Sequence, residues 1–221
     1  MGESRLWQTR GFVCFSAQFS ETECQSVANH LVQIDTVGTR CLLNYDWCRV
    51  FAVMMQERLV ENLPELSSLQ VVQCTYFNKR LNENWLVAFH QDRSIPVSND
   101  VSDHYPGRSL KEGITFIHGP DEVLAQMIAL RLHLDDSTLA NGPLRVLPGS
   151  HHYGTLAQDQ IQALRPTIDE QPLAIAKGGI IAFHPLLLHA SSKSLTTQPR
   201  RVLHFLFGPT DLPNGLKWKN W

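Results

Sequence analysis

The spacing of the apolar residues changes near Leu69, and this change limits the folds that are open to the chain. Before it, apolar residues recur at helical intervals; after it they alternate, as in strands with one buried face. Helices are predicted after the capping box Ser20–Glu23 and over about 46–60. Strands are predicted at 70–77, 85–89, 128–134, 144–147, 180–183 and 201–207. Helices followed by many short strands predict a β-sandwich or barrel with helices packed outside it.

We expect one domain over residues 1–221. In this division about 1–65 form a helical support and about 66–210 form the β core. Asn141-Gly142 is typical of a hairpin turn, and we expect it to join the strands on either side.

The segment from Ser94 to Pro120 is rich in Gly, Pro and Ser, and it shows no clear secondary structure. Long loops inside compact domains are usually functional. We therefore expect residues 94–120 to form a lid over an active site. Arg93, Lys111 and His118 are its candidate substrate contacts.

Composition excludes several classes of partner. The chain has 19 Lys+Arg against 21 Asp+Glu, so it offers no basic surface for nucleic acid or an anionic membrane. No apolar run approaches the roughly 20 residues of a membrane span. The start, MGESRLWQTRGF, lacks the apolar core of a secretory signal, and the five cysteines contain no C-x-x-C pair. We expect a cytoplasmic protein whose partner is a small molecule.

His90 and Asp92 are two residues apart at the end of a predicted strand, so both side chains leave the same face. With a third ligand from elsewhere they would complete the two-histidine, one-carboxylate set that suits non-haem Fe(II). Taken alone, the motif is weak, and the pair is more simply a surface histidine beside a surface aspartate.

A second cluster strengthens the metal interpretation. His189 lies in an apolar strand that has no packing reason to contain an imidazole, and Ser191 faces the same way. Arg200 follows at the start of the last strand. A guanidinium and a hydroxyl together bind a carboxylate well, so the cluster predicts a metal ligand beside a carboxylate clamp. Without the histidine, Arg200 would be a solvated strand-end charge.

Three segments in this order resemble the phytanoyl-CoA dioxygenase family of Fe(II)/2-oxoglutarate oxygenases. They are residues 84–92 (NWLVAFHQD), residues 131–151 (RLHLDD through NGPLRVLPGSH) and residues 188–201 (LHASS through PRR). The resemblance covers about 70–210. It implies a mainly β fold with flanking helices, a double-stranded β-helix (jelly roll, cupin-like).

The resemblance also implies functional residues. His90, Asp92 and His189 would bind Fe(II), while Arg200 and Ser191 would hold the far carboxylate of 2-oxoglutarate. The implied reaction uses O₂, releases succinate and CO₂, and hydroxylates or otherwise oxidises a small-molecule metabolite.

Two further residues are candidate cosubstrate contacts. Gln91, between the first two ligands, would help to shape the cosubstrate side or the substrate side. Lys79 either reaches a carboxylate at the mouth of the site or is a solvated loop lysine.

Other polar residues keep two interpretations. Arg131 and His133 either line the interior near the site, where His133 is a candidate substrate contact, or are satisfied core residues. His204 shares a strand face with Arg200, so it lies near the site or is solvated at a strand end.

The alternative function is a non-catalytic jelly-roll protein that binds a metal or a ligand. A structural zinc site would want four protein ligands, usually including Cys, and no Cys follows Cys74. A metal enzyme that does not use 2-oxoglutarate would have no use for the clamp. The charges near the lid are mixed and do not form a phosphate cradle, which favours a free metabolite over an acyl-CoA.

Overall fold

A computed structural model describes residues 3–34, 38–79 and 84–221, whose strands form three antiparallel sheets. The helices of these ranges are α1 (Glu3–Arg10), α2 (Glu21–Leu31), α3 (Asp46–Leu59), α4 (Asp121–Leu124) and α5 (Gln158–Leu164). The strands are β1 (Phe12–Phe15), β2 (Gly38–Thr39), β3 (Leu69–Lys79), β4 (Val87–His90), β5 (Ser94–Val97), β6 (Ser109–Lys111), β7 (Ile114–His118), β8 (Ile128–His133), β9 (Leu144–Val146), β10 (Gln171–Leu173), β11 (Ile180–Phe183), β12 (His189–Ser191) and β13 (Arg200–Pro209).

Two sheets form the core. The large sheet has the strand order β1-β11-β8-β13-β3-β2, and the small sheet has the order β10-β9-β12-β4. From β8 to β13 the chain crosses repeatedly between the two sheets. This is the jelly roll that the sequence predicted, with helices packed outside it.

The two faces of the large sheet have different tasks. On the outer face Leu132 of β8 pairs with Leu203 of β13, and both belong to a core that includes residues of α1, α2 and α3. On the inner face Arg131 pairs with His204, since successive side chains of a strand point to opposite faces. The alternation therefore sends apolar side chains toward the helices and polar ones into the interior.

The two predicted helices are confirmed. Ser20 caps α2, because its hydroxyl accepts from the backbone N–H of Glu23 while the Glu23 carboxylate accepts from the N–H of Ser20. Helix α3 covers most of the predicted range. Its Gln56 amide donates to the carbonyls of Leu66 and Leu69, which ties the helix to the start of β3.

The hairpin predicted at Asn141-Gly142 is wrong. Strands β8 and β9 lie in different sheets, so this turn belongs to a crossing between them. Gly142 has a φ of +72°, and a Cβ there would lie 2.3 Å from the carbonyl oxygen of Ser192. The turn residues thus reflect a close backbone approach and not a two-residue hairpin.

Residues 94–120, expected to lack secondary structure, contain the third sheet. It has the order β5-β7-β6; we call it the lid sheet. The C-terminal tail pairs with its β5 edge, where Ser98 N–H donates to Lys217 O at 3.0 Å and Lys219 N–H donates to Pro96 O at 3.3 Å. At the opposite edge, Glu112 between β6 and β7 accepts from the Thr39 hydroxyl at 2.5 Å.

The sequence did not predict α1, β1, β2, β10 or α5. Strand β1 extends the large sheet by pairing with β11, and Trp7 of α1 is buried in the outer core. Among the described residues, no helix is both long and apolar enough to cross a membrane.

Candidate active site

Strand pairing in the small sheet places two histidines side by side. His90 ends β4 and His189 opens β12, directly opposite each other, with ring centroids 4.2 Å apart. The carboxylate oxygens of Asp92 lie 3.6 Å from Nε2 of His90 and 3.5 Å from Nε2 of His189. Ligand atoms of all three residues lie within 4.8 Å of one another. The structure thus brings together the three metal ligands expected from the sequence.

The orientation of both rings suits a metal. Nδ1 of His90 lies 2.9 Å from Ala88 O, and Nδ1 of His189 lies 2.8 Å from Leu187 O. A carbonyl oxygen only accepts hydrogen bonds, so Nδ1 of each ring carries the proton and Nε2 keeps its lone pair. Two imidazole nitrogens and one carboxylate fit Fe(II), which accepts such a set on one face and keeps further positions open.

The charge states of the free site also suit metal binding. Burial raises the pKa of Asp92, but the three surrounding imidazoles outweigh burial and hold that pKa well below its usual range. Burial, followed by the repulsion from His90, lowers the pKa of His189 to about 3. At neutral pH the site therefore presents an ionised carboxylate and a neutral buried imidazole, as metal coordination requires.

A turn before β12 holds both segments that carry metal ligands. Pro185 O accepts from the N–H of Asp92 at 2.9 Å, and Leu187 O faces the His189 ring as described above. Between them, Leu186 O accepts from the Gln91 side chain at 2.8 Å. Three successive carbonyls of one turn therefore fix the relative positions of the two strands that carry the ligands.

Gln91, expected to help shape the cosubstrate or substrate side, lines the cavity, and its amide is bound by backbone groups. Its amide nitrogen also donates to Gly154 O at 2.7 Å, and its amide oxygen accepts from the N–H of Leu156 at 2.8 Å. Both amide hydrogens are used, so none is free for a cosubstrate. Gln91 instead ties the metal-binding strand to two neighbouring backbone segments.

Two buried cations face each other across the ladder of β13 and β3. Arg200 is directly opposite Lys79, and their exposed fractions are 2% and 1%. Lys79 Nζ donates to Ser191 Oγ at 2.9 Å, whereas Nε and Nη1 of Arg200 have no partner among the described residues. Like charges directly opposite are destabilising, and an unpaired buried charge costs several kcal/mol. An anion bound between them would remove both costs.

The pKa values of these cations reflect the same surroundings. Burial, followed by the repulsion from Arg200, Arg131 and Arg145, lowers the pKa of Lys79 to about 7. Burial lowers the pKa of Arg200 to about 10, so Arg200 keeps its charge at neutral pH.

One cavity of about 390 Å³ contains both groups. Besides the three metal ligands and the Arg200, Lys79 and Ser191 cluster, its lining includes Arg40, Trp85, Arg93, Lys111, Arg131 and His204. Two of the lid candidates, Arg93 and Lys111, therefore face the cavity.

The other two substrate candidates do not line it. The ring of His118 packs against the backbone of Gly107 instead. His133 is fully buried in the large sheet, where burial and the charges of Arg131 and Arg200 lower its pKa well below the usual range. The structure places neither residue where a cavity ligand would touch it.

His204, which from the sequence either lies near the site or is solvated at a strand end, belongs to the site. Its Nε2 lies 3.3 Å from Oδ2 of Asp92, and its ring packs against Phe183 with centroids 5.6 Å apart. The signal was present in the sequence, because His204 shares a strand face with Arg200. It orients the carboxylate that the two ligand histidines share.

Replacing Gln91 by Met removes three hydrogen bonds while nearly keeping the volume. We expect the free energy of unfolding to fall by about 2–4 kcal/mol, since buried backbone groups lose their partners. The affinity for Co(II) should fall about 10-fold to 100-fold, because the ligand strand loses its anchor. Calorimetric titration and chemical unfolding measure both.

Gln73→Met is the matched control, since Gln73 is also a buried glutamine but its amide donates to the Thr75 hydroxyl and to no backbone group of the described residues. It should keep the wild-type metal affinity. A Gln91→Met protein that is destabilised but binds Co(II) normally would show that the amide does not position the ligands.

Comparisons with known proteins agree with this geometry. Residues 7–202 match the family model described as phytanoyl-CoA dioxygenase (PhyH). L-proline trans-4-hydroxylase from Streptomyces griseoviridis is 29% identical over 42% of this chain, and the match spans only 44% of that enzyme's length.

Solved structures share the fold at low sequence identity. HygX from Streptomyces hygroscopicus, crystallised with nickel, 2-oxoglutarate and hygromycin B, has a TM-score of 0.66 at 17% identity, covering 94% of this chain and 86% of that one. The non-heme alpha-ketoglutarate-dependent carbocyclase SnoK from nogalamycin biosynthesis has a TM-score of 0.70 at 12% identity, covering 98% and 85%. The family match spans most of the chain, and by it this chain belongs to the phytanoyl-CoA dioxygenase family.

Proposed function

We propose that this chain is an Fe(II)- and 2-oxoglutarate-dependent oxygenase that oxidises a small organic molecule. The overall balance for a hydroxylation is substrate C–H plus 2-oxoglutarate plus O₂, giving the alcohol, succinate and CO₂. One observation carries the proposal. A three-ligand metal set and a pair of buried, opposed cations line the same cavity.

In this proposal the protein supplies positions and charges. His90, Asp92 and His189 would hold Fe(II), which supplies the activation of O₂ when bound. The guanidinium of Arg200 would bind the far carboxylate of 2-oxoglutarate in a fork, with the Ser191 hydroxyl and the Lys79 ammonium beside it.

A purely structural metal site is less compatible with the geometry. It would want four protein ligands, whereas three residues form the ligand cluster within the described ranges. It would also leave the charges of Arg200 and Lys79 without a purpose.

Succinate formation tests the proposal. The wild-type protein with Fe(II), ascorbate, O₂ and 2-oxoglutarate should form succinate even without a substrate, and His90→Ala should form none. Arg200→Gln should bind 2-oxoglutarate about 100-fold more weakly, because a charge-assisted fork is lost. Arg201→Gln is the matched control, since Arg201 pairs with Asp135 away from the cavity and not with the proposed cosubstrate.

Two results would contradict it. One is a wild-type protein that neither forms succinate nor binds 2-oxoglutarate in the presence of metal. The other is an His90→Ala protein as active as the wild type.

The lowered pKa of Lys79 predicts a pH effect on cosubstrate binding. Above a pH of about 7 the free side chain is largely neutral, and a carboxylate beside it favours the charged form. Binding of 2-oxoglutarate should then be accompanied by uptake of a proton at Lys79. The affinity should therefore fall as the pH rises from about 7 toward about 10, the ordinary pKa of a lysine. Calorimetry in buffers with different heats of ionisation measures the proton uptake.

Lys79→Met should abolish most of this uptake. Lys177→Met, which removes a surface lysine paired with Glu21, should leave it unchanged. The facing cations Arg200 and Arg131, with pKa values lowered to about 10 and about 9, keep their charge at neutral pH and so do not supply the proton effect. Wild-type uptake in Lys79→Met would contradict the assignment.

We further propose that residues 94–120 act as a lid and that the substrate carries a carboxylate. Arg93 and Lys111 line the cavity from the lid side, and neither pairs with a carboxylate in the described ranges. Nε of Arg93 is buried without a partner there. The related enzyme named above acts on L-proline, a free amino acid, which supports a small acid over an acyl-CoA.

Paired ligands test the substrate charge. Small carboxylic acids should stimulate succinate formation more than their primary amides do, and Arg93→Gln should remove the difference. The exposed Arg165→Gln serves as control. Equal stimulation by acids and amides would contradict a carboxylate-bearing substrate.

A further inference from the structure

Arg131 is a third buried cation, and neither the metal set nor the carboxylate clamp uses it. It lies in β8, in the interior of the large sheet, with an exposed fraction of 7%. Its Nε has no hydrogen-bond partner, and no carboxylate forms an ion pair with it, within the part of the chain that the structure describes. Its described contact is the ring of Phe77, 5.4 Å from the guanidinium carbon.

Arg131 lines the cavity that holds both the metal ligands and the clamp. It is directly opposite His204 in the ladder of β8 and β13, and His204 reaches Asp92. Its charge also interacts with Arg200 and with Asp92 itself.

Its charge persists in this position. Burial, followed by the repulsion from Arg200, lowers the pKa of Arg131 to about 9, while Asp92 opposes the shift. The side chain is therefore a cation at neutral pH. A buried cation that makes no ion pair costs several kcal/mol, so an anion bound directly to Arg131 would reduce this cost.

The chemistry of 2-oxoglutarate identifies this anion. The molecule has two carboxylates, one of which is adjacent to its keto group; a metal is chelated through that pair of groups. If the far carboxylate binds at Arg200, the keto-acid end would lie toward the metal ligands. Arg131 lines the cavity beside His204, which reaches Asp92.

We propose that Arg131 binds the carboxylate adjacent to the keto group of 2-oxoglutarate. This inference rests on the proposed function, and it gives each carboxylate its own buried arginine. The cosubstrate is then selected as a dianion, since a molecule that lacks either carboxylate leaves one buried cation unpaired.

The alternative occupant is the substrate. Arg131 rises from the sheet and is nine-tenths buried, whereas Arg93 and Lys111 reach the cavity from the lid side and are only partly buried. The deep position favours the molecule that binds against the metal ligands.

A comparison of three ligands distinguishes the binding site of one carboxylate from that of the other. Calorimetry on the Ni(II)-loaded protein would measure the affinities of three acids. These are 2-oxoglutarate itself, 4-oxopentanoate, which lacks the carboxylate next to the keto group, and 2-oxopentanoate, which lacks the far carboxylate. Arg131→Gln should weaken 2-oxoglutarate and 2-oxopentanoate about 10-fold to 100-fold and leave 4-oxopentanoate unchanged. Arg200→Gln should weaken the binding of 4-oxopentanoate and leave the binding of 2-oxopentanoate unchanged.

Arg131→Lys keeps the charge without the fork and should be intermediate. Thermal unfolding and Ni(II) affinity show whether each variant is folded, and removal of a cation should not weaken the metal. If Arg131→Gln binds 2-oxoglutarate as the wild type does, the inference is overturned and the arginine serves another ligand. If the wild type itself binds no 2-oxoglutarate, the proposed function fails first, which is a distinct result.

Discussion

The turn Pro185–Leu188 is the constraint on which the site depends. Its carbonyls hold the backbone of Asp92, the side chain of Gln91 and the ring of His189. Each ligand-bearing segment is fixed to the same short piece of backbone. Metal geometry therefore does not rely on long side chains finding their positions, and both imidazoles have their tautomer set before any metal arrives.

A second constraint is electrostatic. The cavity buries Lys79, Arg131 and Arg200, and among the described residues that line it Asp92 is the one carboxylate. The outer face of the same strands buries leucine and phenylalanine side chains, each worth about 1.5–3 kcal/mol. Because apolar and polar side chains alternate along β8 and β13, each of these strands contributes apolar side chains to the outer core and charged or polar side chains to the cavity. Without a ligand, the protein keeps these buried positive charges in its interior, and a bound anion would neutralise them.

Much of this could be predicted from sequence, for identifiable reasons. The period of two along β13 puts His204 on the same face as Arg200, and His189 stands out as an imidazole in an otherwise apolar strand. The capping box and helical spacing located α2 and α3. Sheet membership could not be predicted, because a turn such as Asn141-Gly142 has the same residues whether it joins neighbours or crosses between sheets. The task of Gln91 was also hidden, since its partners are backbone groups far away in the chain.

The two edges of the lid sheet are held in different ways. Backbone pairs between β5 and residues 217–219 fix one edge, whereas the side chain of Glu112 holds the other at Thr39 and Arg40. Backbone pairing tolerates almost any residue, but a side-chain latch changes with a single substitution. Relatives of this protein could therefore differ at positions 39, 40 and 112, while the jelly roll and the cluster of metal ligands stay as they are.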